Sequence, residues 1–161
     1  NTWSSYQPES DGNRNRLHFC IWSHQAGREA LADQFRSNGC PKVVVHDLAR
    51  CDMSLAIADA FRYNKLVLAT TTYNADIYPF MRDYIHRLTE RNFQNRKVAL
   101  IENGSWAPLA AKIMKNMFEG SKQIAWAKHH RSYQICSQRR KPRRAERTGR
   151  RILSGLYCSA Q

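Results

Sequence analysis

Long apolar runs are missing from this sequence: nothing approaches the roughly 18 consecutive apolar residues that a bilayer-spanning helix needs, so no membrane segment is expected. An initiating Met is missing too, since the chain begins at Asn1, and no charged-then-apolar leader follows it. These absences read as a cytoplasmic domain taken from something longer. Cysteine is sparse and unpaired in pattern: Cys20, Cys40, Cys51, Cys136 and Cys158 form no C-x-x-C pair and have no close His spacing. That excludes a zinc ribbon or a redox dithiol and leaves ordinary reduced thiols as the expectation. The six histidines are scattered, with only His129 and His130 adjacent, so no metal site is expected. Internal repeats are absent, and no side chain stands out as a catalytic acid, base or nucleophile.

What is present fits one domain, because 161 residues with 42% apolar content can close a single core of ordinary size. The net charge of +13 would suggest nucleic acid or an anionic surface, but it is unevenly spread. Residues 128–161 hold ten Lys/Arg and one acid, Glu146, whereas residues 1–127 hold sixteen and twelve. The basic signal therefore belongs to residues 129–161, expected as an irregular tail, because such a segment cannot bury an apolar stripe. Clustered Arg there allows salt-dependent, non-specific nucleic-acid binding, and a basic nucleic-acid-binding protein is the alternative class of function.

Between Pro41 and Lys128, short apolar runs alternate with helical patterns, which predicts parallel strands joined by crossover helices. Lys42 to His46, Lys65 to Thr70, Lys97 to Ile101 and Gln123 to Ala127 read as strands. Asp52 is placed to cap a helix with Met53, Ile57, Ala60 and Phe61 on one face. Pro79 suits the first turn of the next helix, with Phe80, Tyr84 and Leu88 at helical spacing. Pro108 opens a third helix, in which Leu109, Ile113, Met114 and Met117 are expected to face inward and which Gly120 closes. A helix ending near Asn38 precedes them all. The expected fold is a three-layer α/β/α sandwich around a parallel, doubly wound sheet.

In such sheets ligands bind outside the carboxyl ends of strands, near the switch in strand order. Two segments expected to be loops leave strands at that place. Thr70, Thr71, Thr72, Tyr73 and Asn74 combine hydroxyls, an amide and an aromatic ring, which suits the rim and wall of a planar cofactor. Asn103, Gly104, Ser105 and Trp106 follow the next strand, with glycine allowing close backbone approach and an indole to flank a ring. A helix entrance and an ordinary Asn-Gly turn are the plainer readings of the two. At the end of the first strand a phosphate-bearing cofactor would need a hydroxyl-rich or Gly-rich cradle, and Cys20 to Gly27 (CIWSHQAG) is a poor one.

These residues resemble a known family, the flavodoxin-like FMN domain of flavodiiron proteins, or A-type flavoproteins. VVVHDLARCDM is similar to that family's second strand and following loop. LVLATTTYNADIYPFM resembles its second FMN loop, usually G-S-P-T-Y-N, and IENGSWAP its third, usually G-S-Y-G-W-S-G. The resemblance covers residues 30–128. It implies FMN as cofactor, with Thr70, Thr71, Thr72, Tyr73 and Asn74 at the isoalloxazine and ribityl groups and Asn103, Gly104, Ser105 and Trp106 at the ring's other edge. Thr70 and Thr71 replace the usual Gly-Ser. It further implies an electron-transfer role in a flavodiiron-type oxidoreductase that reduces oxygen or nitric oxide. The partners implied are a di-iron metallo-β-lactamase-like domain, an electron donor such as rubredoxin or a reductase, and a second copy in a homodimer. A free-standing FMN reductase of the same fold is the other flavin reading.

The flanks depart from the family. NTWSSYQP resembles the linker that follows the di-iron domain, so residues 1–12 are expected as linker and 13–128 as the flavodoxin-like domain, with 13–29 atypical. Past Lys128 an Arg-rich run stands where the family has a strand end and a helix. Read from the second base of Lys128, permitted codons give NTTVPIRSALNEESRAE, and from the second base of Asn13 they give TETAFIFASGHTRLA. Both flanks therefore resemble frame-shifted text, and an intact single reading frame at the source locus would overturn that reading.

Overall fold

The structure, a computed structural model, describes residues 16–21, 29, 32–33, 35–37, 40, 42–103, 109–127 and 131–133. Seven strands form its sheet: β1 (Arg16–Ile21), β2 (Lys42–Asp47), β3 (Lys65–Tyr73), β4 (Asp76–Ile77), β5 (Arg96–Asn103), β6 (Ile124–Trp126) and β7 (Arg131–Tyr133). Helices α1 (Met53–Arg62), α2 (Pro79–Glu90) and α3 (Ala110–Met117) fill the crossovers. The sheet order is β2-β1-β3-β5-β6, with every pairing along that path parallel. Counting only those strands, the second lies outside the first and the third returns to its other side. The switch point therefore falls between β1 and β3.

Side-chain alternation along the buried strands sends successive residues into two cores. Leu66, Leu68, Val98 and Leu100 pack beneath α1, α2 and α3, whereas Val67, Ala69, Ala99 and Ile101 pack with Ala32 and Phe35 from a helical stretch within 29–37. Helices thus cover both faces, and the expected three-layer arrangement is observed.

Helix ends follow local chemistry. Asp52 caps α1 by accepting a hydrogen bond from Ser54 N, as expected. Pro79 occupies the first position of α2. Beyond that helix's last residue, Glu90, the chain turns at Asn92, whose φ of 56° is left-handed, while Phe93 N donates to Leu88 O and Asn92 N to Thr89 O. This pattern satisfies two terminal carbonyls and lays Phe93 onto Leu88, both fully buried. Tyr84, also fully buried, donates its hydroxyl to Ala56 O and so joins α2 to α1.

Several expectations change. β3 does not stop at Thr70 but continues to Tyr73, because three Thr and a Tyr favour extended backbone. The presumed loop turns back as β4 in an antiparallel hairpin, Thr72 opposite Ile77 and Tyr73 opposite Asp76. Leu109, expected to face inward, is exposed, and Ala110 and Ala111 are buried instead; in α2 the buried residues are Met81, Tyr84, Ile85 and Leu88, with Phe80 exposed. Gly120 follows α3 in a turn without adopting a left-handed φ. The sheet also continues past Lys128, where the domain was expected to end, since Arg131, Ser132 and Tyr133 pair with Ile101, Glu102 and Asn103. Residues 1–12 and 134–161, with most of the proposed frame-shifted text, lie outside the described residues.

Lys65 begins β3 almost fully buried, in register with Lys97. Burial pushes its ammonium down from 10.5 to about 8, opposed in part by Cys40, with the charge of Lys97 a smaller downward effect. Between those pH values the unfolded chain holds a proton that the native chain has released. Stability is therefore expected to be flat below about pH 8 and to rise by up to about 3 kcal/mol toward pH 10.5. Urea midpoints measured from pH 7 to pH 10 check this, and Lys65→Met should flatten the rise.

Candidate functional site

The carboxyl ends of β3 and β5 lie side by side, with Thr70 opposite Glu102 and Thr71 opposite Asn103. Pairing thus brings the starts of the two candidate segments together at the strand ends next to the switch point. Successive residues of β3 then diverge. Thr70 is only 2% exposed, on the face of Leu66 and Leu68, and its hydroxyl has no hydrogen-bond partner among the described residues. Only its backbone could border a cofactor ring. Thr71 and Thr72 are half-buried. Tyr73 is 52% exposed and presents its ring at the sheet's end.

The ring of Tyr73 does not stand alone. Tyr78 meets it edge to face at 5.7 Å between centroids, and Phe80 lies 5.9 Å beyond Tyr78. A line of three aromatic rings therefore borders the strand end, and neither Tyr78 nor Phe80 carried a signal for that place in the sequence. The hairpin that carries Tyr73 turns through Asn74 and Ala75, with φ of 50° and 59°. Two consecutive left-handed residues are the requirement of a tight hairpin turn whose twist matches its strands. Asn tolerates that conformation, whereas Ala pays for its Cβ. Ala75→Gly is accordingly expected to stabilise the chain by about 0.5–1 kcal/mol, read as a higher urea midpoint. Asp76, which follows, accepts from its own segment's Ile77 N and from the Arg82 guanidinium, and the latter bond holds its carboxyl below the ordinary value.

The start of α3 is tied to both strands. Its N-cap position is Leu109, which has no side-chain acceptor to offer the first amides. Instead Thr72 Oγ1 accepts from Leu109 N at 3.2 Å, and Glu102 Oε2 accepts from Ala111 N at 2.9 Å. Glu102 is 7% exposed, and an acidic group at a helix start is also favoured by the helix dipole. Its spacing from Ala111 gave no signal in the sequence, because a strand residue capping the following helix matches no local capping pattern. Gly104, Ser105 and Trp106 lie outside the described residues, as do residues 22–28, where a phosphate cradle was sought. Asn103 is described as the last residue of β5.

A cavity of about 320 Å³ lies to one side of this region, against α3 and β6, lined by Val98, Leu100, Glu102, Lys112 and Trp126 among others.

An exposed ring, half-buried hydroxyls and an exposed Asn74 gather at the end of β3, while the hydroxyl of Thr70 is buried. No family model matches the chain, and no curated protein does. Solved structures do. Rubredoxin oxygen:oxidoreductase from the anaerobe Desulfovibrio gigas superposes with a TM-score of 0.76 at 15% identity, covering 99% of this chain and 39% of that one. A flavo di-iron protein variant from Thermotoga maritima gives 0.70 at 18% identity, covering 96% and 38%. Flavodoxin 1 from Bacillus cereus gives 0.65 at 14% identity, covering 86% of this chain and 97% of that one. The fold is therefore flavodoxin-like, and the chain spans 39% of the oxygen:oxidoreductase it resembles.

Proposed function

We propose that the chain is the FMN-binding electron-transfer domain of a flavodiiron-type oxidoreductase. The observation that carries this reading is the pairing of Thr70 with Glu102 and Thr71 with Asn103, which joins two segments of flavin-loop character at the carboxyl ends of neighbouring parallel strands. The breadth of the likeness to a rubredoxin oxygen:oxidoreductase supports it. In this reading Tyr73 supplies a wall for the ring, and Thr71, Thr72, Asn74 and the backbone of Thr70 supply its rim. Asn103, Gly104, Ser105 and Trp106 border the opposite edge. Bound FMN would supply the redox chemistry, accepting and passing on one or two electrons. The protein's own residues orient the ring and exclude water from one side of it.

The larger assignment rests on the same reading. A di-iron domain upstream would receive the electrons and reduce oxygen or nitric oxide, and a rubredoxin-like protein or a reductase would deliver them. Expression of the whole chain tests the core of the proposal. The expected product either carries a flavin absorbance spectrum or quenches the fluorescence of added FMN. A folded chain that does neither overturns the reading.

A further inference from the structure

We propose that Thr72 and Glu102 are positioning residues that act on the flavin site through the start of α3. This rests on the flavin reading above. Leu109 cannot cap α3 with its own side chain, and the first turn is held instead by two acceptors from the sheet, Thr72 on β3 and Glu102 on β5. The two strands are neighbours in register, so the two bonds hold the helix start against both candidate segments at once. β5 stops at Asn103, and Leu109 N is bound to Thr72, so the start of α3 is fixed to the sheet beside the end of β5. Strand pairing sets the spacing of Thr71 and Asn103, and the two acceptors set where α3 begins against them. Thr72, which the family resemblance assigns to direct flavin contact, has one of its two oxygen lone pairs committed to Leu109 N, which leaves the second lone pair and the hydroxyl hydrogen to offer.

The clamp predicts a pattern that neither direct contact nor simple loss of stability produces. Thr72→Val and Glu102→Met each remove one acceptor, and each is expected to raise the dissociation constants for FMN and riboflavin alike, by about tenfold. Thr72→Ser and Glu102→Gln keep an acceptor and should stay within about threefold of the unmodified chain. Because both residues act through one element, the double variant Thr72→Val/Glu102→Met should lose little more than the worse single variant, whereas independent contacts would multiply to about a hundredfold. Amide exchange in the flavin-free chain supplies a second readout. The Leu109 and Ala111 amides should be protected in the unmodified chain and should exchange faster in Thr72→Val and Glu102→Met.

Flavin affinity unchanged in Thr72→Val while the Leu109 amide exchanges faster would overturn the proposal, as would multiplicative losses in the double variant. If Glu102→Met does not fold, Thr72→Val and Thr72→Ser still decide between these outcomes. A folded, unmodified chain that binds neither flavin would overturn the cofactor reading and the positioning role together, and would be recognised as such because no variant is needed to see it.

Discussion

Replacing residues 22–27 with a Ser/Thr/Gly-rich phosphate loop is expected to raise FMN affinity by about a hundredfold or more while leaving riboflavin affinity nearly unchanged. The segment that follows β1 is WSHQAG, with one hydroxyl and one glycine for a group that carries close to two charges. Charge-assisted hydrogen bonds to phosphate contribute about 1.5–3 kcal/mol each, so two of them account for a hundredfold at least. The contacts available to the ring from Tyr73, Asn74 and the half-buried threonines are weaker, at about 0.5–1.5 kcal/mol each, and both flavins share them. The unmodified chain should therefore bind FMN weakly and hardly prefer it to riboflavin. Fluorescence titrations of the two flavins measure the preference directly. Tight, phosphate-dependent binding by the unmodified chain would show that residues 22–27 already form a cradle.

Arg96→Met should cost about 3 kcal/mol of folding stability, the largest loss expected from any single buried polar group described here. Arg96 is 3% exposed, and its guanidinium donates to Phe61 O at 2.6 Å and to Gln94 O and Asn95 O at 3.1 Å. It thus fastens the end of α1 to the start of β5, beside the Phe93 ring. Two effects oppose each other. Burial lowers its pKa to about 10, which means that holding the charge there is costly and that an apolar side chain escapes this cost. Against it stand three backbone carbonyls that would lose a charged donor. All three carbonyls belong to half-buried residues, and the bond to Phe61 O is the shortest of the set and the one that reaches a distant segment. The bonds outweigh the burial because three carbonyls lose a charged donor at once. Arg96→Lys can restore at most part of the set, since an ammonium lacks the planar fork. Urea midpoints for both variants test this; an unchanged midpoint in Arg96→Met would mean that burial cost and bonds cancel.

The flavin experiments and the stability experiments address opposite ends of the sheet. Arg96 and Lys65 sit at the amino ends of β5 and β3, whereas Thr72, Tyr73 and Glu102 sit at the carboxyl ends. Loss of Arg96 should therefore lower the unfolding midpoint without altering flavin preference at temperatures where the chain remains folded.

By itself the sequence determined the local periodicities. Continuous apolar runs at Lys42 to His46, Lys65 to Thr70 and Lys97 to Ile101 announced strands, the latter two largely buried on both faces, and Asp52 and Pro79 announced helix starts. These are legible because a strand or helix writes its own repeat into neighbouring residues. The family motifs also marked which segments border the candidate site. What only the tertiary structure decided is which residues meet across strands. The order of the sheet, the hairpin that takes Thr72 and Tyr73 into β3, the pairing of Thr70 with Glu102 and the burial of the Thr70 hydroxyl all depend on register. So do the caps that Thr72 and Glu102 supply to α3 and the reach of Arg96 to Phe61 O, 35 residues away. Such contacts leave no periodic trace, because a side chain that serves a distant backbone amide or carbonyl satisfies a hydrogen-bonding requirement of another segment rather than of its own.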